Sequence, residues 1–201
     1  MSMWDQRYAQ DGFAYGANPN DFLKACLHHI PKEDVLCIAD GEGRNSVFLA
    51  QNGCRVQSVD LSSVGLAKAN QLAKDKDVSI TTELADMAEY DMGQSKWDAI
   101  ISIFAHMPPA IRTKVHAGAV RALKPGGVFI LEAYTPRQLE LGGIGGPNAQ
   151  TMELFMSLPA LLNELNGLSF LLAHDIDHEV NEGKYHQGMA ATVQIIAKKK
   201  G

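Results

Sequence analysis

The chain has 201 residues, a formal net charge of −5 and three cysteines that form no C-x-x-C pair. This length suits one α/β domain with a sizeable core, and the odd cysteine count favours a reduced, intracellular setting over a disulfide framework. The acidic balance argues against nucleic acid as a partner, because the only concentrated basic patch is the terminal run 198–200. With no secretory-type segment or apolar run of membrane-spanning length, we expect a cytoplasmic monomer or homodimer that contacts no membrane.

Helical and strand patterns alternate along residues 18–134. Asn18 and Pro19 are typical of a helix start, and apolar residues then recur at helical spacing up to Ile30. Further helix boundaries are predicted at Asn52-Gly53, at Ser62 or Ser63, at Pro108-Pro109 and at the turn 124–127. Apolar or alternating runs predict five strands, at residues 35–39, 55–59, 78–84, 97–104 and 128–134.

The chain changes character after residue 134. Residues 135–149 are too rich in glycine for an interior element and suit a mobile cover. Two β-type runs, 168–180 and 189–198, are joined by a turn at 181–184 and predict an antiparallel hairpin. The predicted fold class is therefore α/β: a doubly wound, seven-stranded, mostly parallel Rossmann-like sheet with helices on both faces and a C-terminal antiparallel hairpin.

The whole chain, 1–201, is predicted to be a single domain with four parts. In chain order these are an N-terminal cap and helix, a ligand-binding core, a lid or substrate segment and the terminal hairpin, at residues 1–31, 32–134, 135–167 and 168–201. Ligands bind to such a sheet at the carboxyl ends of its strands, so the site is expected in the loops that follow them.

A glycine-containing turn, residues 39–43, follows the first predicted strand. Asp60, at the end of the second strand, follows the first glycine of this turn by 19 residues (60 − 41), close to the spacing of about 20 in nucleotide-binding folds. A nicotinamide-type fingerprint would also need glycine at position 46, where Ser46 stands. Asp40 and Glu42 would place carboxylates beside a pyrophosphate, so the turn favours a cationic ligand.

Five segments carry a family resemblance. They are Trp4-Asp5-Gln6-Arg7-Tyr8, Tyr15-Gly16, Pro19-Asn20-Asp21-Phe22-Leu23, Gly41-Glu42-Gly43-Arg44-Asn45 and Glu182-Gly183-Lys184-Tyr185-His186. With the alternating elements, they resemble the class I S-adenosylmethionine-dependent methyltransferases over nearly the whole chain. More narrowly, the chain is similar to the tellurite-resistance (TehB-like) and thiopurine methyltransferase-related branch, whose members methylate small, often soft, nucleophiles.

The resemblance implies that S-adenosylmethionine is the cofactor and S-adenosylhomocysteine the product. The backbone of the turn 39–43 would hold the methionine part, Asp60 the ribose, and Asp86 with Met87 the adenine. The full set of residues expected to bind the cofactor is Ala39, Asp40, Gly41, Glu42, Gly43, Asn45, Asp60, Leu61, Asp86, Met87 and Ile103.

The candidate catalytic residues are His106, His186 and Tyr15. His106 would border the transferable methyl group, where it could accept a proton or could simply pack and cap the next helix. His186 resembles a substrate-side histidine of the tellurite enzymes, although Gln187 replaces the arginine that accompanies it there. The expected reaction is in-line methyl transfer to a small-molecule acceptor such as a sulfur, selenium or tellurium nucleophile.

Two other readings stay open at this point. Where Cys37 and Ala39 stand, the family usually has an acid and a glycine, so the chain could bind S-adenosylmethionine in a non-catalytic, regulatory role. A nicotinamide-dependent oxidoreductase on the same sheet is the third hypothesis, and the acidic turn disfavours it. No metal site is predicted, since His174 and His178 on one strand face have no third ligand placed with them.

Overall fold

The computed structural model describes residues 2–201. Two short helices open the chain, α1 at Met3–Tyr8 and α2 at Asp21–Ala25, followed by a 3₁₀ turn at Leu27–His29. The predicted opening of α2 at Asn18 and Pro19 is wrong by two residues. Asn20 is the cap, because its side-chain oxygen accepts the first-turn amide of the helix.

The sheet has seven strands in the order β3-β2-β1-β4-β5-β7-β6, of which the first five are parallel and the last two antiparallel. In chain order, the strands β1 to β7 are Asp34–Ile38, Arg55–Asp60, Thr81–Leu84, Trp97–Ile103, Leu123–Tyr134, Leu168–Glu182 and His186–Lys199. The remaining helices, α3 to α6, are Arg44–Gln51, Ser63–Asp75, Pro109–Ala122 and Leu158–Glu164. The predicted fold class is confirmed.

Several strand limits differ from the prediction. β3 begins at Thr81 and not at residue 78. β5 begins at Leu123 because this residue pairs with Trp97 across a bulge, so the expected turn 124–127 lies within the strand. β6 continues to Glu182, which shortens the hairpin turn.

The two faces of the sheet bury separate apolar cores. On β1, Leu36 and Ile38 pack on the side of α5 and α6, while Val35 and Cys37 pack on the side of α2 and α3. This alternation follows from the two-residue period of a strand. Leu161 of α6 is fully buried in the first core. The predicted lid segment 135–167 therefore includes core structure.

The earlier part of that segment lies against the terminal hairpin. Ile144 and Gln187 exchange two backbone hydrogen bonds, of 2.7 and 2.9 Å. A Cβ atom on Gly143 would lie within 2.1 Å of a backbone oxygen of Met189, so glycine is required for this close approach. Among residues 2–201, no helix combines the length and apolar character needed to span a bilayer.

Candidate functional site

A cavity of about 340 Å³ opens at the carboxyl ends of β1, β2 and β4. Parallel strands that end at one edge bring their following loops together there, as the sequence predicts. The expected residues that line it are Tyr15, Ala39, Asp40, Asn45, Asp60, Leu61, Asp86, Met87, Ile103, His106 and His186. Gly41, Glu42 and Gly43 do not line it.

The two glycines of the turn serve its geometry and its packing. Both have positive φ, +63° at Gly41 and +83° at Gly43. A Cβ atom at Gly41 would lie 2.6 Å from the hydroxyl of Tyr8, and one at Gly43 would lie 2.5 Å from the Cβ of Ala69. Glycine is therefore needed where α1 and α4 approach the turn, and the expected contact of Gly41 and Gly43 with a cofactor stays a prediction.

Glu42 points away from the cavity. Its side chain accepts the backbone N–H of Ala14 at 2.7 Å and forms an ion pair with Lys68 at 3.0 Å. These contacts hold the segment after α1 against the glycine turn. The side chain of Glu42 therefore does not line the cavity, the argument for a cationic ligand rests on Asp40, and a cofactor contact by Glu42 stays a prediction.

Two carboxylates remain at the polar end of the cavity. Oδ2 of Asp40 accepts hydrogen bonds from the hydroxyls of Ser46 and Ser58, at 2.5 and 2.8 Å. Asp60 accepts the backbone N–H groups of Gly41 and Ser62, both at 2.8 Å, one at each oxygen. Burial raises the pKa of Asp40 to about 6 and also raises that of Asp60. Within residues 2–201 neither forms an ion pair, so this end suits a cation.

Ala39 adopts a left-handed conformation, with φ of +49°. This conformation costs a residue with a Cβ atom roughly 1 kcal/mol of conformational free energy, a cost that glycine does not have. We expect Ala39→Gly to raise the free energy of unfolding by up to about 1 kcal/mol, measured by urea denaturation. The matched control is Ala50→Gly inside α3, where the same change should lower stability by about 1 kcal/mol. A loss of stability at both positions would contradict the assignment of strain to Ala39.

The other end of the cavity is aromatic. The ring of His186 lies 4.5 Å from those of Tyr15 and Phe104 and 5.4 Å from that of Tyr134, centroid to centroid. Its Nδ1 atom lies 3.1 Å from Oε2 of Glu182, which as a carboxylate can only accept. Nδ1 therefore carries the proton, and Nε2 keeps a free lone pair. Burial lowers the pKa of His186, so the ring is a neutral base at neutral pH.

His106 is held by backbone groups at both ring nitrogens. Nδ1 lies 2.9 Å from the carbonyl oxygen of Leu154, and Nε2 accepts the N–H of Tyr134 at 3.2 Å. Burial lowers the pKa of His106 to about 4. With no lone pair or proton to offer a substrate, His106 is a wall of the cavity, and its predicted role as a base is not supported. The alternative hypothesis, that His106 is a packing residue, agrees with these contacts.

Tyr15 reaches the cavity from the segment between α1 and α2. Its hydroxyl accepts a hydrogen bond of 2.7 Å from Nη1 of Arg7. Burial raises the pKa of Tyr15, so the phenol stays protonated at neutral pH. Its face against His186 makes it a wall residue next to the candidate base.

A buried polar network behind His186 was not predicted. Glu132 of β5 is fully buried and accepts hydrogen bonds from Asn20 at one oxygen and from His178, Thr192 and Gln194 at the other. The one signal in the sequence is an acid inside the apolar run 128–134. His178 is thus a partner of Glu132, and the residues 2–201 include no group of three or more side chains arranged to bind a metal ion.

Arg44 is a charged residue that lines the cavity and was not predicted to do so. It stands in the first turn of α3, is 7% exposed and donates from Nη2 to Glu182 at 2.8 Å. The sequence shows that Arg44 belongs to the resembling segment 41–45. It does not show which way the side chain of Arg44 points. Trp4, Phe104 and Met107 also line the cavity without having been predicted to do so.

Comparisons with known proteins agree with this geometry. Residues 35–127 match the family described as a methyltransferase domain. An uncharacterised methyltransferase from a Synechocystis strain is 35% identical over 106 residues, 50% of this chain and 47% of that protein, so the match spans about half of its length.

Solved structures extend the likeness to the whole fold. TehB from Haemophilus influenzae superposes with a TM-score of 0.74 at 19% identity, over 90% of this chain and 62% of that one. Magnesium protoporphyrin IX methyltransferase from Synechocystis, with bound S-adenosylmethionine, gives 0.65 at 16% identity, over 90% and 79%. The family match covers residues 35–127, less than half of the chain, and the solved structures show that the whole chain has the Rossmann-like fold of these methyltransferases.

Proposed function

We propose that this chain transfers the methyl group of S-adenosylmethionine to a small-molecule acceptor. The observation that carries the proposal is the polarity of the cavity, with the unpaired carboxylates Asp40 and Asp60 at one end and His186 among aromatic rings at the other. S-adenosylmethionine carries ammonium and sulfonium charges and no phosphate, which fits the acidic end. The nicotinamide cofactors carry a diphosphate, which these carboxylates would repel.

The residues present fit the parts of this cofactor. All four lining residues suit it: Asp60 would offer carboxylate oxygens to the ribose hydroxyls, Asp86 and Met87 would hold the adenine, and Asp40 would balance the charge of the cationic amino-acid part. When bound, S-adenosylmethionine supplies an electrophilic methyl group. The chain itself aligns the acceptor and excludes water with its aromatic wall, and these are the main contributions that such a displacement needs.

His186 is the proposed proton acceptor. Glu182 fixes its tautomer, which leaves the Nε2 lone pair for an acceptor that must lose a proton. Although burial raises the pKa of Glu182, the hydrogen bond from His186 and the charge of Arg44 bring it down to about 2, so the carboxylate stays ionised. An acceptor that reacts as an anion would not need this step.

We further propose a soft nucleophile, a thiol, selenium or tellurium compound, as the acceptor, as in the tellurite and thiopurine branch. Phe104 beside His186 and the lining residue Met107 give the cavity apolar, polarisable walls, which supports that choice. The test is a methyl-transfer assay with labelled S-adenosylmethionine against thiols, selenite and tellurite, read by mass spectrometry. Transfer to an amine or a carboxylate, and to none of these compounds, would reject the soft acceptor. It would still support the proposed methyltransferase activity.

His186→Gln separates the two kinds of acceptor. Loss of a positioned base lowers rates by about a hundredfold or more for an acceptor that is protonated at the assay pH. For an acceptor already ionised we expect a much smaller change. An equal loss for both kinds would contradict the role of His186 as a base.

Cofactor binding is expected to depend on pH through Asp40. Burial raises its pKa to about 6 in the free protein, and a cation binds to the ionised form. Affinity for S-adenosylmethionine should therefore be full above about pH 6 and fall as pH drops through that value. Asp40→Asn should bind more weakly at neutral pH and lose this dependence. Calorimetry across this pH range measures the affinity and its pH dependence. An identical pH profile in the variant would contradict the assignment of this dependence to Asp40.

A non-catalytic S-adenosylmethionine-binding protein is the alternative. The residue types at positions 37 and 39 favour it, because Cys37 and Ala39 stand where the resembling family usually has an acid and a glycine. Binding of the cofactor with no methylated product from a cell extract would support it. Turnover of any acceptor would reject it.

A further inference from the structure

One side-chain amide joins two buried carboxylates behind the cavity. The Nδ2 atom of Asn20 donates to Oε2 of Glu132 at 2.6 Å and to Oε1 of Glu182 at 2.9 Å. The orientation of this amide is fixed, because its Oδ1 atom accepts the N–H of Leu23 and so caps α2. An amide NH₂ group has two donors. Both are used here, and they hold the two carboxylates at one point.

A histidine lies at each end of this bridge. Nδ1 of His186 donates to the other oxygen of Glu182 at 3.1 Å, and Nε2 of His178 lies 3.1 Å from the other oxygen of Glu132. The side chain of His186 is 8% exposed and lines the cavity, whereas that of His178 is 24% exposed and meets solvent on β6. Four hydrogen bonds therefore connect the candidate base with a histidine that solvent reaches.

The charges of this cluster balance when one of its two histidines is protonated. Both carboxyls accept hydrogen bonds at both oxygens, so Glu132 and Glu182 are ionised. Arg44 supplies one positive charge through its ion pair with Glu182. Among the ion pairs of residues 2–201, the two carboxylates share no other cation than Arg44 and these histidines. A proton on His178 completes the balance while His186 stays a neutral base.

We propose that protonation of His178 opposes protonation of His186, so that a histidine at the protein surface tunes the base in the cavity. The carboxylates of Glu132 and Glu182, held together by Asn20, carry the coupling. The inference rests on the proposed function in one respect, that His186 is the base. His178 does not line the cavity, so it is a positioning residue that acts through the network.

The coupling gives the buried site a way to take up a proton. As the new bond to the methyl carbon forms and the carbon–sulfur electron pair stays with sulfur, the proton of the acceptor passes to Nε2 of His186. The cluster then has one positive charge too many, which is costly in a buried place. Loss of a proton from His178 to solvent restores neutrality. After product release His186 loses its proton through the open cavity, and His178 takes one up again. No proton crosses the amide of Asn20, because the two histidines are coupled by charge.

The surroundings of each histidine support this direction. Burial lowers the pKa of His186, Glu182 and Glu132 raise it, and Arg44 lowers it. The hydrogen bond to Glu132 raises the pKa of His178, and the charge of Glu182 adds to this. Each histidine therefore responds to both carboxylates, and a cation on one weakens their effect on the other. The titratable and charged groups that face His186 are Glu182, Arg44, Glu132, His106, Tyr15 and Tyr134, and those around His178 are Glu132, Glu182, Asp177 and His174.

NMR titration of ¹³C-labelled histidines in the whole chain, without ligand, tests the coupling. His178→Gln keeps a donor for Glu132 and removes the charge, while His178→Lys keeps both a donor and a permanent charge. At an effective dielectric constant of about 20, a unit charge roughly 12 Å away shifts a pKa by about one pH unit. We expect the pKa of His186 to rise by about this much in His178→Gln and to stay near its native value in His178→Lys. His186→Gln assigns the signal.

A purely structural role of His178 would affect both variants alike, because each loses the imidazole. An unchanged pKa of His186 in folded His178→Gln, or an equal rise in both variants, would overturn the inference. His28→Gln, at an exposed histidine of the 3₁₀ turn, is the control and should change nothing.

Glu132→Gln gives a second test with the opposite sign. It removes one negative charge, so the pKa of His186 should fall together with that of His178. An unchanged pKa of His186 in this variant would also overturn the inference. The titrations need neither cofactor nor turnover. If the histidines are coupled but the chain binds neither S-adenosylmethionine nor S-adenosylhomocysteine, the coupling stands and the proposed function fails.

Discussion

Replacing Asp60 with Asn is expected to lower affinity for S-adenosylhomocysteine by about a hundredfold or more. Each oxygen of Asp60 accepts one backbone N–H of the surrounding turns, at 2.8 Å, and has a further lone pair for a ribose hydroxyl. An amide carries no charge and replaces one acceptor by a donor, so the charge-assisted hydrogen bonds to the two ribose hydroxyls are lost. Two such losses of about 1.5 kcal/mol each give this factor.

The measurement is calorimetric titration of Asp60→Asn beside Asp91→Asn. Asp91 is an exposed aspartate that pairs with Arg121 on the surface, so its replacement should leave binding unchanged. Thermal melting of both variants separates lost binding from lost folding. Native affinity in a folded Asp60→Asn variant would refute the placement of the ribose.

Replacing Glu132 with Ala is expected to lower the free energy of unfolding by about 3–5 kcal/mol. The carboxylate is fully buried and accepts four hydrogen bonds from four side chains. Its removal leaves those donors without water or a partner, which costs more than the loss of one exposed contact. Urea denaturation measures the change. Glu179→Ala on the exposed face of β6 is the control and should cost little.

The same residue gives a pH signature through His178. The hydrogen bond to Glu132 raises the pKa of His178 above its ordinary value of 6.5. Its contribution to stability is therefore fully present below about pH 6.5 and is lost as pH rises through the raised pKa of the folded state. Glu132→Gln should lose this dependence. A native pH profile of unfolding in the variant would contradict the pairing.

The fold and the polar end of the site follow from local sequence patterns. Alternating strands and helices predict the parallel sheet, and parallel strands bring Asp60 and Asp86 to one edge whatever the details of packing. The spacing of residues within one turn needs no knowledge of distant contacts. For this reason eight of the eleven residues expected to bind the cofactor do line the cavity, and the three that do not are Gly41, Glu42 and Gly43.

The direction of single side chains could not be predicted. Glu42 turns to Lys68 and Ala14, contacts that exist only after the segment following α1 has folded over the glycine turn. His106 is fixed by two backbone groups that belong to other parts of the chain. Arg44 and Glu182 are 138 residues apart in sequence, so their contact depends on the position of the terminal hairpin beside α3.

Calorimetric titration of the whole chain with S-adenosylmethionine, S-adenosylhomocysteine and NADH tests the central claim most directly. We predict saturable binding of the first two at neutral pH, weaker binding of S-adenosylmethionine below about pH 6, and no heat of binding with NADH. Binding of NADH, with neither of the others bound at high micromolar concentration, would contradict the account.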